Sequence, residues 1–87
     1  MHVSKLQKIL DRIINNSGTV TYSELSYVLS RFGYQEVKTG KTSGSRVAFY
    51  NQSKKLLIRL HKPHPSNELK DYQIKLIKAH LEQNNLI

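Results

Sequence analysis

The spacing of apolar residues changes period twice along this chain, and that change restricts the fold more than any other feature. Leu6, Ile9, Leu10, Ile13 and Ile14 recur at helical intervals, with Lys5, Lys8 and Arg12 on the opposite face. Ser4 is placed to cap this helix, and Asn15-Asn16-Ser17-Gly18 to stop it, which predicts a helix over residues 4–16. Thr21-Tyr22-Ser23-Glu24 has the form of a capping box, in which hydroxyl and carboxylate each satisfy an orphan backbone N–H. Val20 and Leu25 occupy the positions of a hydrophobic staple. Leu25, Val28, Leu29 and Phe32 make the buried stripe, and Gly33 stands where the helix ends.

From Tyr34 the period becomes two. Residues 34–38 form a strand candidate and 41–44 a polar turn. Over 45–50, Val47 and Phe49 point one way while Arg46, Ala48 and Tyr50 point the other. A turn at 51–54 leads to 55–61, with Leu56, Ile58 and Leu60 opposed to Leu57, Arg59 and His61. Pro63 and Pro65 close the strand, because proline cannot donate to a ladder. Helical spacing then returns over 66–84, with Leu69, Tyr72, Leu76, Ile77 and His80 sharing a face and Ile74 and Leu81 at its margin. These elements predict an α+β fold of order α-α-β-β-β-α. A three-stranded antiparallel sheet carries the helices on one face and leaves the other for a ligand.

At 87 residues the chain is read as a single domain, 1–87, since two halves would each be too short to bury a core. Fourteen Lys and Arg against 6 Asp and Glu give a formal charge of +8, a field that attracts phosphate polyanions or acidic protein surfaces. The absence of cysteine excludes disulfides and thiolate zinc sites. No apolar run approaches the roughly 20 residues of a membrane span, and the opening MHVSKLQKIL has no signal-peptide core. A cytoplasmic location is expected.

The histidines concentrate the chemistry. His2 is terminal, and His80 sits in an apolar stripe as a packed side chain. His61 and His64 differ, because Leu60-His61-Lys62-Pro63-His64-Pro65 places two imidazoles where prolines restrict the backbone. Positioned imidazoles suit proton transfer near neutrality. A rigid strand exit with incidental histidines reads the segment equally well. No acidic third ligand accompanies the pair, since Glu68 and Asp71 are accounted for by the start of a helix, so no metal and no cofactor are expected. Lys41, Ser45, Arg46, Arg59 and Lys62 fall in the strand region and its turns, where side chains and free N–H groups meet phosphates. Tyr50 shares the strand face of Arg46, as a stacking platform for a base or as an ordinary sheet aromatic.

Gly44-Ser45-Arg46-Val47-Ala48-Phe49, followed by a strand and by His61-Lys62-Pro63-His64-Pro65, resembles the HicA-type toxins of bacterial toxin–antitoxin pairs. The helix before Gly33 and the strand Tyr34-Gln35-Glu36-Val37 are similar to that family's opening elements. The resemblance covers residues 21–87, and the helix at 4–16 resembles the N-terminal extension of one branch. It implies a fold like the double-stranded-RNA-binding domain, cleavage of mRNA, and neutralisation by a HicB-type antitoxin. Many members carry Gly-Ser-His where this chain has Gly44-Ser45-Arg46, and that histidine is taken as catalytic. The branch resembled here pairs Gly-Ser-Arg with His-x-Pro-His-Pro, which implies that His61 or His64 replaces it.

The expectation is therefore a metal-independent endoribonuclease, with His61 and His64 as the acid–base residues and Arg46 and Lys62 beside the phosphate. Two other readings stay open. One is a non-catalytic basic module that binds RNA or an antitoxin. The other is a winged-helix DNA-binding protein, whose recognition helix would have only Arg31 as an exposed cation.

Overall fold

The computed structural model describes residues 4–37 and 46–87. Two helices come first, α1 (Lys5–Asn15) and α2 (Tyr22–Arg31). Three strands follow, β1 (Tyr34–Val37), β2 (Arg46–Asn51) and β3 (Leu56–His61), and then α3 (Asp71–Gln83). The strands form one antiparallel sheet in the order β1-β2-β3. This is the predicted α+β arrangement. Lys41 and Ser45, expected to contact phosphate, lie outside the described residues, as does His2.

Local chemistry sets the boundaries. Ser4 accepts from the Gln7 N–H at 3.1 Å and opens α1, and Asn16 closes it in the left-handed region at φ 50°. Thr21 and Glu24 form the predicted capping box, the Glu24 carboxylate accepting from the Thr21 N–H at 3.0 Å. Gly33 ends α2 at φ +93°, where a Cβ would stand 3.3 Å from the Asn51 amide nitrogen. That amide is buried. It donates to the Phe32 carbonyl at 2.9 Å and accepts from the Lys54 N–H and Ser53 hydroxyl at 3.0 Å each. One side chain thus fixes both the entry to β1 and the β2–β3 turn.

Ile9 and Ile13 from α1, Leu25 and Leu29 from α2, and Ile74, Ile77 and Leu81 from α3 share one core with Val47, Phe49, Ile58 and Leu60 of the sheet. The helices therefore cover one sheet face.

The last helix departs from expectation in start and in phase. It begins at Asp71 rather than at 66, because the preceding backbone is committed elsewhere. The Leu69 N–H donates to the Val20 carbonyl and the Tyr22 N–H to the Asn67 carbonyl, both at 2.8 Å, beside a bridge between Thr21 and Glu68. Leu69 is buried from outside the helix, so it cannot set the helical phase. The buried stripe is Gln73, Ile74, Ile77 and Leu81, whereas Tyr72 and Leu76 are 63% and 51% exposed.

Arg12 also departs from its expected solvent face. Its guanidinium donates to Glu24 and to the Thr19 carbonyl, each at 2.6 Å.

Candidate functional site

Strand alternation and register assemble the uncovered sheet face. Gln35 and Val37 of β1 lie opposite Tyr50 and Ala48 of β2. Arg46, Ala48 and Tyr50 in turn lie opposite His61, Arg59 and Leu57 of β3. Directly opposed residues hold their Cβ atoms about 4.5–5.5 Å apart, so the Arg46 and His61 side chains leave the sheet as neighbours. Both are exposed, as is Arg59, while Ala48 is buried between Val37 and Arg59. Glu36, the one carboxylate in the described strands, points to the helix side, where the Tyr22 hydroxyl donates to it. The described open face thus holds two guanidiniums and an imidazole with no carboxylate. The ion pairs among the described residues lie elsewhere, between Arg12 and Glu24 and between Lys75 and Asp71.

The backbone that presents His61 is pinned from behind. Gln73 is 3% exposed, and its side chain donates to the His61 carbonyl at 2.9 Å while accepting from the Lys70 N–H at 2.9 Å. A single amide therefore ties the end of β3 to the start of α3. The sequence reading missed Gln73. The available signal was a Gln three residues after an extended residue at a helix start, the capping position.

The other site candidates are distributed unevenly. His64 is exposed in the bend beyond Pro63, its peptide to Pro65 is cis, and no hydrogen bond among the described residues joins it to His61. Lys62 leaves the chain on the helix side, its Nζ 5.3 Å from the centre of the Tyr22 ring. Register and alternation bring Arg46, Arg59 and His61 to one face; they do not bring Lys62 there. Burial, and then Glu36, push the Tyr22 hydroxyl well above the usual phenol range, which keeps it a donor.

His80 belongs to the scaffold. Its Nε2 lies 2.6 Å from the Tyr34 hydroxyl. Burial holds the imidazole below its ordinary pKa and the phenol above its own. No group of three or more His, Cys, Asp or Glu side chains among the described residues could hold a metal ion. No described helix is long and apolar enough to cross a membrane.

The family model described as HicA toxin of bacterial toxin-antitoxin matches residues 22–86, well over half of the chain. The chain belongs to the HicA toxin family. No curated protein and no solved structure is significantly similar to it. The HicA match starts at the first residue of α2 and spans the whole sheet and α3, so every open-face residue lies inside it. As a HicA-family chain it is the toxin component of a toxin–antitoxin pair and has an antitoxin partner.

Proposed function

We infer that this toxin is a metal-independent endoribonuclease acting on mRNA in the cytoplasm and restrained by a HicB-type antitoxin. The observation that carries this reading is the cross-strand pairing of Arg46 with His61 on a face that has no carboxylate among the described residues. The ribose 2′-OH attacks the adjacent phosphorus, forming the 2′-O–P bond as the P–O5′ bond breaks. Neutral His61 takes the 2′ proton, and an imidazolium, with His64 as the candidate, donates a proton to the departing 5′ oxygen. The products are a 2′,3′-cyclic phosphate and a 5′-OH end. Arg46 and Arg59 stabilise the extra negative charge of the pentacoordinate phosphorus, where preorganised cations act most strongly. Lys62, turned toward Tyr22, is assigned to binding the flanking backbone.

A positioned acid or base contributes about 10²–10⁴ in rate, so His61→Ala is expected to lower RNA cleavage by that factor and to relieve growth arrest. Because His61 is exposed, its removal should leave the unfolding free energy unchanged within about 0.5 kcal/mol. Full cleavage and toxicity in both His61→Ala and His64→Ala would refute the assignment. The second reading, a basic module that binds without cutting, is favoured by Arg46 standing where the resembled motif has histidine. It predicts RNA binding without cleavage in the unmodified chain.

A further inference from the structure

Arg46, Arg59 and His61 occupy one end of the open face, and the other end has no role in the mechanism above. There Tyr50 stands half-buried between Gln35 on β1 and Leu57 on β3, and Leu57 is 41% exposed. Beside the phenol ring is a half-open depression of about 270 Å³ lined by Gly33, Gln35, Val37, Tyr50, Gln52 and Ser53. That volume lies just below the roughly 300 Å³ at which pockets begin to hold drug-sized molecules, so it suits one planar ring. Among the described residues the lining has no charged side chain. It offers an aromatic face, an aliphatic wall and two carboxamides.

We propose that Tyr50 and this depression form a nucleobase subsite for single-stranded RNA, in which one unpaired base stacks on the phenol and presents its edge to Gln35. The proposal rests on the ribonuclease reading and extends it from the reacting phosphate to the substrate class. Tyr50 is four residues from Arg46 along β2, a separation of about 13 Å at 3.3 Å per residue. Arg59 lies between them on the neighbouring strand, and a nucleic acid backbone laid from Tyr50 to His61 therefore meets cations and, among the described residues, no carboxylate.

Duplex is the poorer fit. Its bases are stacked on one another and give no free face to Tyr50, and shape-reading of duplex RNA uses two successive minor grooves across about 16 base pairs. Three strands spaced about 4.8 Å apart give a face only about 10 Å wide. A small sheet with an aromatic and flanking cations is instead the geometry of single-strand platforms.

The test uses the full chain and short fluorescent oligonucleotides whose riboses are 2′-O-methylated, so that no 2′-OH attack occurs whichever histidine serves as base. Stacking on an aromatic is worth about 1–3 kcal/mol per base, so Tyr50→Ala should weaken single-strand binding roughly 5- to 150-fold. Tyr50→Phe, which keeps the ring, should bind as the parent does, and an unchanged thermal melt of Tyr50→Ala separates lost stacking from lost folding. Gln35→Ala should level the affinities for oligo-A, oligo-C, oligo-G and oligo-U.

Tyr50→Ala binding as tightly as the parent, while Arg46→Ala or Arg59→Ala weakens it, overturns the subsite and leaves the RNA reading standing. Preference for duplex over single strand does the same. Failure of the unsubstituted chain to bind either form overturns both.

Discussion

Glu24 shows how much a single side chain does in this toxin. Its carboxylate caps the Thr21 N–H, meets the Arg12 guanidinium and so joins α1 to the start of α2. Donation by Arg12, ahead of the cap, holds its pKa below the ordinary carboxylate value of 4.5. A folded-state pKa below the unfolded one means that the stabilisation is complete above that value. It is lost as the pH falls through the folded pKa. Glu24→Gln keeps an acceptor for the cap but loses the charge, and should cost about 1 kcal/mol near neutrality. Thermal melts of parent and variant should converge once the pH falls well below 4.5. Gln73 acts at the same scale on the site, since the bond that orders the start of α3 is made by the residue that holds the His61 carbonyl.

Among the elements, α3 is where periodicity alone misled. Two stripes can be drawn on its sequence, one through Tyr72 and Leu76 and one through Ile74, Ile77 and Leu81. Both have helical spacing. Counting Leu69 as helical favoured the first, but its N–H bonds to Val20 and it precedes the first turn. The two adjacent positions Leu76 and Ile77 separate the stripes by measurement. Ile77→Ala should cost about 2–5 kcal/mol as a core truncation, and Leu76→Ala about 0.5 kcal/mol or less, both read from denaturant midpoints. The strands were more legible, because a period of two on a half-covered sheet sorts every residue to one face. Val47, Phe49, Ile58 and Leu60 are buried as alternation requires.

For the whole molecule, the charge of +8 matters through where it is placed. Lys75 pairs with Asp71 on an outer helix face, and Arg12 is used internally by Glu24. Arg46 and Arg59 face outward from the sheet with no acid beside them among the described residues. If each meets one RNA phosphate, removing either should reduce the slope of log affinity against log salt by about 0.7 for a single strand. Titration of parent, Arg46→Ala and Arg59→Ala against one oligonucleotide over a range of salt reads this directly. Unchanged slopes would place the phosphate contacts elsewhere on the molecule.

Patterns that act over a few residues were decided by the sequence itself. The capped start of α2, the glycine that ends it, the alternation of the strands and the proline exit from β3 all follow from sterics and hydrogen bonding between near neighbours. Alternation also put Arg59 and His61 on one face. What it could not supply was register, which depends on how the buried Asn51 amide holds both the entry to β1 and the β2–β3 turn, and it is register that sets Arg46 against His61 and Tyr50 beside Gln35. The phase of α3, the turn of Lys62 toward Tyr22 and the hold of Gln73 on His61 likewise arise from groups distant in sequence competing for the same buried space and the same unpaired backbone atoms. Only the assembled core resolves that competition.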